Sequence, residues 1–384
     1  MFQDVFEVML LPRRVQRRVR LVRFYYRLAW RGWTALAPAG ERGGTFLSHF
    51  GALSMVLLFA IWTVALVGGF GLMHWAVQGV HPDRPFSPLS EQIYMSGVTF
   101  FTLGYGDVSP HSAVSRFLAV AESGLGIGFI AMVISYLPVI HQFFSRREAF
   151  VMQMDGRAGS PPTAVTLLAR HADPADLPRL DEYLHEGEGW ACELLESHLA
   201  YPMIAYYRSQ HENQSWLGAL GCVLDTAALV LVGVDDLRPL QARLTFSAGR
   251  QVLVEMTRTI GIASDRFTGE DRLDHDSYDR LEQALSEAGI RWRADPMSRD
   301  TLAALRSTYE PMLHALALHL RVAVPTWLPV QTSDNWEHGP RGLMAGRLVE
   351  ELSNRSAPLP PGSDGSLGRR LLRRMREEQK PQSP

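Results

Sequence analysis

Lysine is almost missing from this chain: Lys380 is the only one, and arginine carries the rest of the basic charge. That bias by itself points to no function. Cysteine is equally scarce, with only Cys192 and Cys222, so a structural disulfide is not expected in the region read below as cytoplasmic. No segment alternates apolar and polar residues as a half-buried strand would, and no Gly-x-Gly-x-x-Gly run follows one, which excludes a Rossmann-type nucleotide domain. No nucleophile–base pair or phosphate-binding loop stands out, so no enzyme is expected. A net charge of −2 gives no reason to expect a nucleic-acid partner.

Charge is also missing where it matters most. Residues 50–77 contain no Asp, Glu, Lys or Arg. At about 1.5 Å per residue this run exceeds the roughly 30 Å of a bilayer core, so it is expected to span with some tilt. A second run, 113–144, is interrupted only by Arg116 and Glu122. Nine arginines precede the first run and Arg146-Arg147 close the second, whereas the segment between holds only Arg84. The positive-inside rule therefore puts both termini in the cytoplasm and the intervening loop outside. Residues 1–149 carry 13 basic and 8 acidic side chains, a balance of +5, and the remainder carries −7. Residues 1–11 are apolar, but their positive charges follow instead of preceding, so no signal peptide is expected. A third apolar run, 216–234, holds Asp225 at its centre. That would cost about 2.5–3.5 kcal/mol in lipid, so it is read as a buried helix of a soluble domain.

Between the two spans, Pro85–Pro88 and Ser90-Glu91 read as a helix start, and residues 92–101 have the length of a short re-entrant helix. There follows Thr102-Leu103-Gly104-Tyr105-Gly106-Asp107. A T-x-G-Y-G run supplies glycines where a backbone must turn its carbonyls inward, and four such loops around one axis can replace the water shell of a potassium ion. Framed by two spans, residues 99–110 resemble the pore module of potassium channels, specifically the prokaryotic kind with two membrane helices per subunit. The resemblance covers about residues 50–145. It implies a homotetramer, since one chain supplies one filter loop, and a potassium ion held by the carbonyls of Thr102, Leu103, Gly104 and Tyr105, with Asp107 at the outer mouth. Potassium is then the permeant ion and no cofactor is implied. Leu103 replaces the family's commoner valine and Phe100-Phe101 a commoner small pair. The acidic residue that many relatives carry in the pore helix is absent, where this chain reads Ser96-Gly97-Val98.

Gly124, Gly126 and Gly128 interrupt the second span, each costing about 1 kcal/mol against alanine. In the resembling channels the inner helix bends at the spacing of Gly126, which makes it the first candidate for a gating hinge; close packing on the pore helix is the alternative. Pro138 is the second candidate, with a kink expected because the Ile134 carbonyl loses its partner, relieved by the Ser135 hydroxyl. Ile127, Ile130, Ala131, Ile134, Ser135 and Pro138 share the face assigned to the cavity. Glu122 is an ionisable residue inside a span, hence a functional candidate, or else a carboxyl propping the pore helix against Ser96 or Thr99.

The amino-terminal segment, residues 1–48, places Arg14, Arg17, Arg20 and Arg23 three apart. With too little chain before them for a voltage sensor, they read as the basic face of an amphipathic helix on anionic lipid, with Val15, Val19, Val22, Tyr26, Trp30 and Trp33 dipping into the interface. Beyond the spans, residues 146–330 show helical periodicity over 177–186, 190–208, 215–231, 240–262, 271–288 and 299–322. The stretch 198–216, dense in aromatic and polar groups, is either a turn between helices or a pocket for an unknown cytosolic ligand. Glu193, Glu196 and His198 do not share one helical face and so make a poor metal site. Residues 331–384 read as a disordered tail.

The expected whole is an all-α membrane protein of the inner (cytoplasmic) membrane. It has a pore domain over residues 49–145, with spans at 50–77 and 113–144 and a pore helix and filter at 89–107, and an all-α cytoplasmic domain that gates it. The competing reading is a membrane-tethered sensor whose pore is vestigial or weakly selective.

Overall fold

A computed structural model describes residues 21–38, 40–78, 86–209, 213–234, 237, 239–263, 271–324 and 326–329. The expected tail at 331–384 and the arginines at 14, 17 and 20 lie outside these residues, as does the side chain of Arg23. The protein is all-α; among the described residues the only β pairing is an isolated bridge between Val234 and Trp292.

Helices α1 (Leu21–Leu36) and α2 (Glu41–Ser48) precede α3 (Phe50–Val77), the first apolar span. The short α4 (Leu89–Phe100) and a loop lead to α5 (Ala113–Ala158), a single helix of 46 residues. At about 1.5 Å per residue it is long enough to cross a bilayer twice over. It runs unbroken through Pro138, and Ser135 Oγ donates to Ala131 O (2.9 Å), not to the expected Ile134 carbonyl three residues on. Nothing separates span from domain, because the same helix belongs to both.

The remaining helices are α6 (Ala164–Arg170), α7 (Leu177–Ala200), α8 (Trp216–Gly233), α9 (Pro239–Ile260), α10 (His275–Glu287), α11 (Pro296–Ser307) and α12 (Glu310–Leu320). Side-chain caps fix several starts: Ser112, Thr163, Ser215, Asp274 and Asp295 each accept from the backbone N–H three residues on. Three boundaries differ from the periodicity reading, each for a plain reason. Gly187 and Gly189 do not break α7, since Gly187 packs within 3.4 Å of where a Cβ would meet Val223. Pro202 does break it, and a tight 3-10 turn, Pro202–Tyr206, follows. The expected 299–322 helix is two helices, because Pro311 starts a new one at its first turn.

Helix α8 is the buried centre of the domain, packed by α5, α6, α7, α9, α11 and α12. Its Asp225 is ion-paired with Arg272 and accepts from Tyr309 Oη (2.5 Å). Arg306 bridges Glu310 (3.0 Å) and Asp271, and both arginines lie 5.6 Å from the Trp327 ring. A charge this deep persists only with such partners.

Helix α1 packs on protein. Tyr26 and Trp30 are buried; Trp30 lies 4.8 Å from Phe50 and 5.1 Å from Tyr206, and its Nε1 donates to His319 O (2.7 Å). The apolar face expected to dip into lipid is taken up by the foot of α3 and the helical domain.

Candidate functional site

Helix α4 is held between the two long helices by two notches. A Cβ at Gly71 of α3 would lie 2.8 Å from Ile93 Cα, and one at Gly126 of α5 only 2.2 Å from Phe100 O. Both glycines are therefore required by close approach, and Gly126 seats the end of α4. Gly124 and Gly128 face open space.

At Phe100 the helix stops in a Schellman arrangement: Thr102 N donates to Thr99 O (3.0 Å) and Leu103 N to Val98 O (2.8 Å). The residue that must go left-handed there is Thr102, at φ 58°, where glycine is usual and a β-branched residue is strained. Gly104 (φ 67°) and Gly106 (φ 78°) are left-handed too, whereas Leu103 and Tyr105 are not. Alternating handedness turns successive carbonyls toward one side of the loop, which an extended strand cannot do. The C-terminal end of α4, with the negative end of its dipole, points to the start of this loop.

Behind α4 sits a buried polar chain. Glu122 Oε1 meets Ser96 Oγ, Glu122 Oε2 lies 3.1 Å from His74 Nε2, and His74 Nδ1 lies 2.9 Å from Ser115 Oγ. It ties outer helix, pore helix and inner helix together. His74 was overlooked although it is the only ionisable side chain in 50–77, a signal that should have singled it out.

On α5, Ile127, Ile130, Ala131, Ile134, Ser135 and Pro138 are all exposed along one face. Of the stretch 198–216, the described residues 201–207 pack against α3 and α5. Its buried turn, Pro202–Tyr206, touches α3 and α5 at once. Tyr207 fills the notch left by Gly51, Tyr136 Oη reaches Met203 Sδ (3.6 Å), and buried Arg147 donates to Ile204 O (3.0 Å) and Tyr207 O (2.7 Å).

Residues 52–140 match the family model described as "Ion channel". This segment is an ion-channel domain. The chain is 25% identical over 194 residues to "Uncharacterized membrane protein YdjJ" of Bacillus subtilis (strain 168), covering 50% of this chain and 56% of that one. It is 34% identical over 84 residues to "Protein LctB" of Bacillus caldotenax, covering 22% and 61%. Against "Two-pore potassium channel 3" of Arabidopsis thaliana it is 26% identical over 103 residues, covering 27% and 23%. The chain thus spans little more than half the length of the first two relatives. No solved structure matches it. The matched residues take in both spans, α4 and the loop.

Proposed function

We propose that this chain is one subunit of a homotetrameric, potassium-selective channel of the cytoplasmic membrane, with both termini inside. The observation that carries the reading is the loop after α4. Thr102, Gly104 and Gly106 alternate in left-handed backbone, so the carbonyls of Thr102, Leu103, Gly104 and Tyr105 can converge on a dehydrated cation. The exposed apolar face of α5 below the loop suits a cavity wall that closes by dewetting. The two-pore potassium channel among the relatives supports the same ion.

The helical domain is proposed to set the gate. Its supports are the continuity of α5 from span to domain and the turn Pro202–Tyr206 wedged between the feet of both spans. Gly126 and Pro138 remain the candidate bending points. Purified protein in liposomes should pass potassium in preference to sodium. Gly104→Ala should abolish or degrade that preference while the tetramer stays assembled, because glycine's left-handed backbone is what places the carbonyl. Unchanged selectivity in the variant refutes the filter assignment, and equal sodium and potassium flux in the wild type favours a weakly selective pore.

A further inference from the structure

His74, Ser96 and Glu122 are fully buried and Ser115 nearly so. The Ser96 hydroxyl has one proton and two acceptors within reach, Glu122 Oε1 and Val67 O (2.8 Å). Two arrangements satisfy every polar atom in the chain. In the first, Glu122 is ionised and accepts from Ser96; neutral His74 donates from Nε2 to Glu122 Oε2 and accepts at Nδ1 from Ser115. The second holds one more proton. Glu122 then donates from Oε1 to Ser96, and Ser96 turns its own proton to Val67 O. The network therefore takes up a proton without orphaning a buried group. What changes is the strength of the tie, since a charge-assisted bond is roughly twice as strong as a neutral one.

We propose that His74 and Glu122 are positioning residues for the filter, and that a proton taken up by Glu122 sets how firmly the inner helix grips the pore helix. The proposal rests on the potassium-channel reading. Ser96 stands four residues before Phe100, where the pore helix seats on Gly126 and the loop begins, so a slackened grip reaches the loop directly. The proton comes from outside: His74 and Ser115 lie within one turn of the outer ends of α3 and α5, which Ser112 Oγ joins by donating to Val77 O (2.9 Å). Among the described residues, the other ionisable groups on α4, in the loop and on the first turns of α5 are Glu91, Tyr94, Tyr105, Asp107, His111 and Arg116. All are exposed.

The test is potassium flux into liposomes carrying the full-length protein, with internal pH held and external pH lowered from about 8 to about 5. Wild-type flux should fall about threefold or more across that range, Glu122→Gln should conduct with a flat profile, and His111→Gln should keep the wild-type profile. If Glu122→Gln does not assemble, the acid-pH carboxyl band of the wild type carries the test. Infrared spectra should show a protonated-carboxyl band at acid pH that Glu122→Gln lacks. A flat wild-type profile, a Glu122→Gln profile like the wild type, a flat His111→Gln profile or no such band overturns the proposal. Should the wild type pass no potassium at any pH, the channel reading fails, and the infrared band alone decides whether the network takes a proton.

Discussion

Helices α5 and α8 each carry one carboxyl in the middle of an apolar run, yet their surroundings are opposite. Within the chain, 17% of the most apolar window of α5 is buried, against 94% for α8. Composition alone makes both long and apolar enough to cross a membrane. The partners of the carboxyls separate them. Asp225 is met by a full positive charge, Arg272, and by Tyr309; burial still pushes its carboxyl up to about 6. Glu122 is met by a histidine and a serine, groups that can share or surrender a proton. The two carboxyls thus differ in the charge of what meets them: a guanidinium for Asp225, an imidazole and a hydroxyl for Glu122.

The sharpest way to break that comparison is to remove one charged group from each site. Arg272→Met leaves Asp225 buried and uncompensated, and should cost the domain about 3–5 kcal/mol in denaturant unfolding followed by circular dichroism. Glu122→Gln keeps a donor and an acceptor and should cost no more than about 1.5 kcal/mol. Equal losses would mean that the two sites do not differ in kind.

A smaller effect separates packing from bending in the inner helix. Gly126→Ala drives a methyl into the Phe100 carbonyl and should cost about 1–3 kcal/mol of assembled, conducting protein. Gly124→Ala meets nothing and stiffens the helix by a similar amount. An open fraction that falls alike in both variants marks a hinge, whereas a defect confined to Gly126→Ala marks the notch.

Per pH unit, the smallest effect is acid sensitivity of the helical domain. Burial, followed by the nearby charge of Arg147, holds His198 down at about 3 against an ordinary 6.5. Above pH 6.5 the imidazole is neutral whether the chain is folded or not. Between 6.5 and about 3 only the unfolded chain takes the proton, so the stability present above 6.5 is lost as pH falls. The slope should approach about 1.4 kcal/mol per pH unit, and His198→Gln should flatten it in thermal unfolding run across that range. A slope unchanged in the variant assigns the acid lability elsewhere.

The sequence showed some of this plainly and other parts not at all. The spans, α4 and the 102–107 loop are local: each is written in a run of consecutive residues whose backbone needs are specific. Asp225 was enough to keep α8 out of the membrane, because a lone carboxyl in lipid is expensive. Long-range partners left no such trace. His74 and Glu122 stand 48 residues apart, and nothing in either neighbourhood names the other. The apolar face of α1 could serve lipid or protein equally well, and only the position of Tyr206 and Phe50 decides that Tyr26 and Trp30 face protein. Pro202 and Pro311 were legible, but the apolar periodicity running through both masked the breaks.

The unbroken course of α5 from Ala113 to Ala158 also has a consequence for how this chain can change. A residue inserted or deleted anywhere in a helix rotates everything beyond it by about 100° and shifts it by about 1.5 Å. A flexible connector would absorb such an event; a continuous rod cannot. One added residue between Gly126 and Arg147 would swing the guanidinium away from the Ile204 and Tyr207 carbonyls it holds, and with it the phase of the whole helical domain relative to the pore. Length in this segment is therefore as constrained as sequence, and a chimera joining this pore to another domain must be cut in helical register.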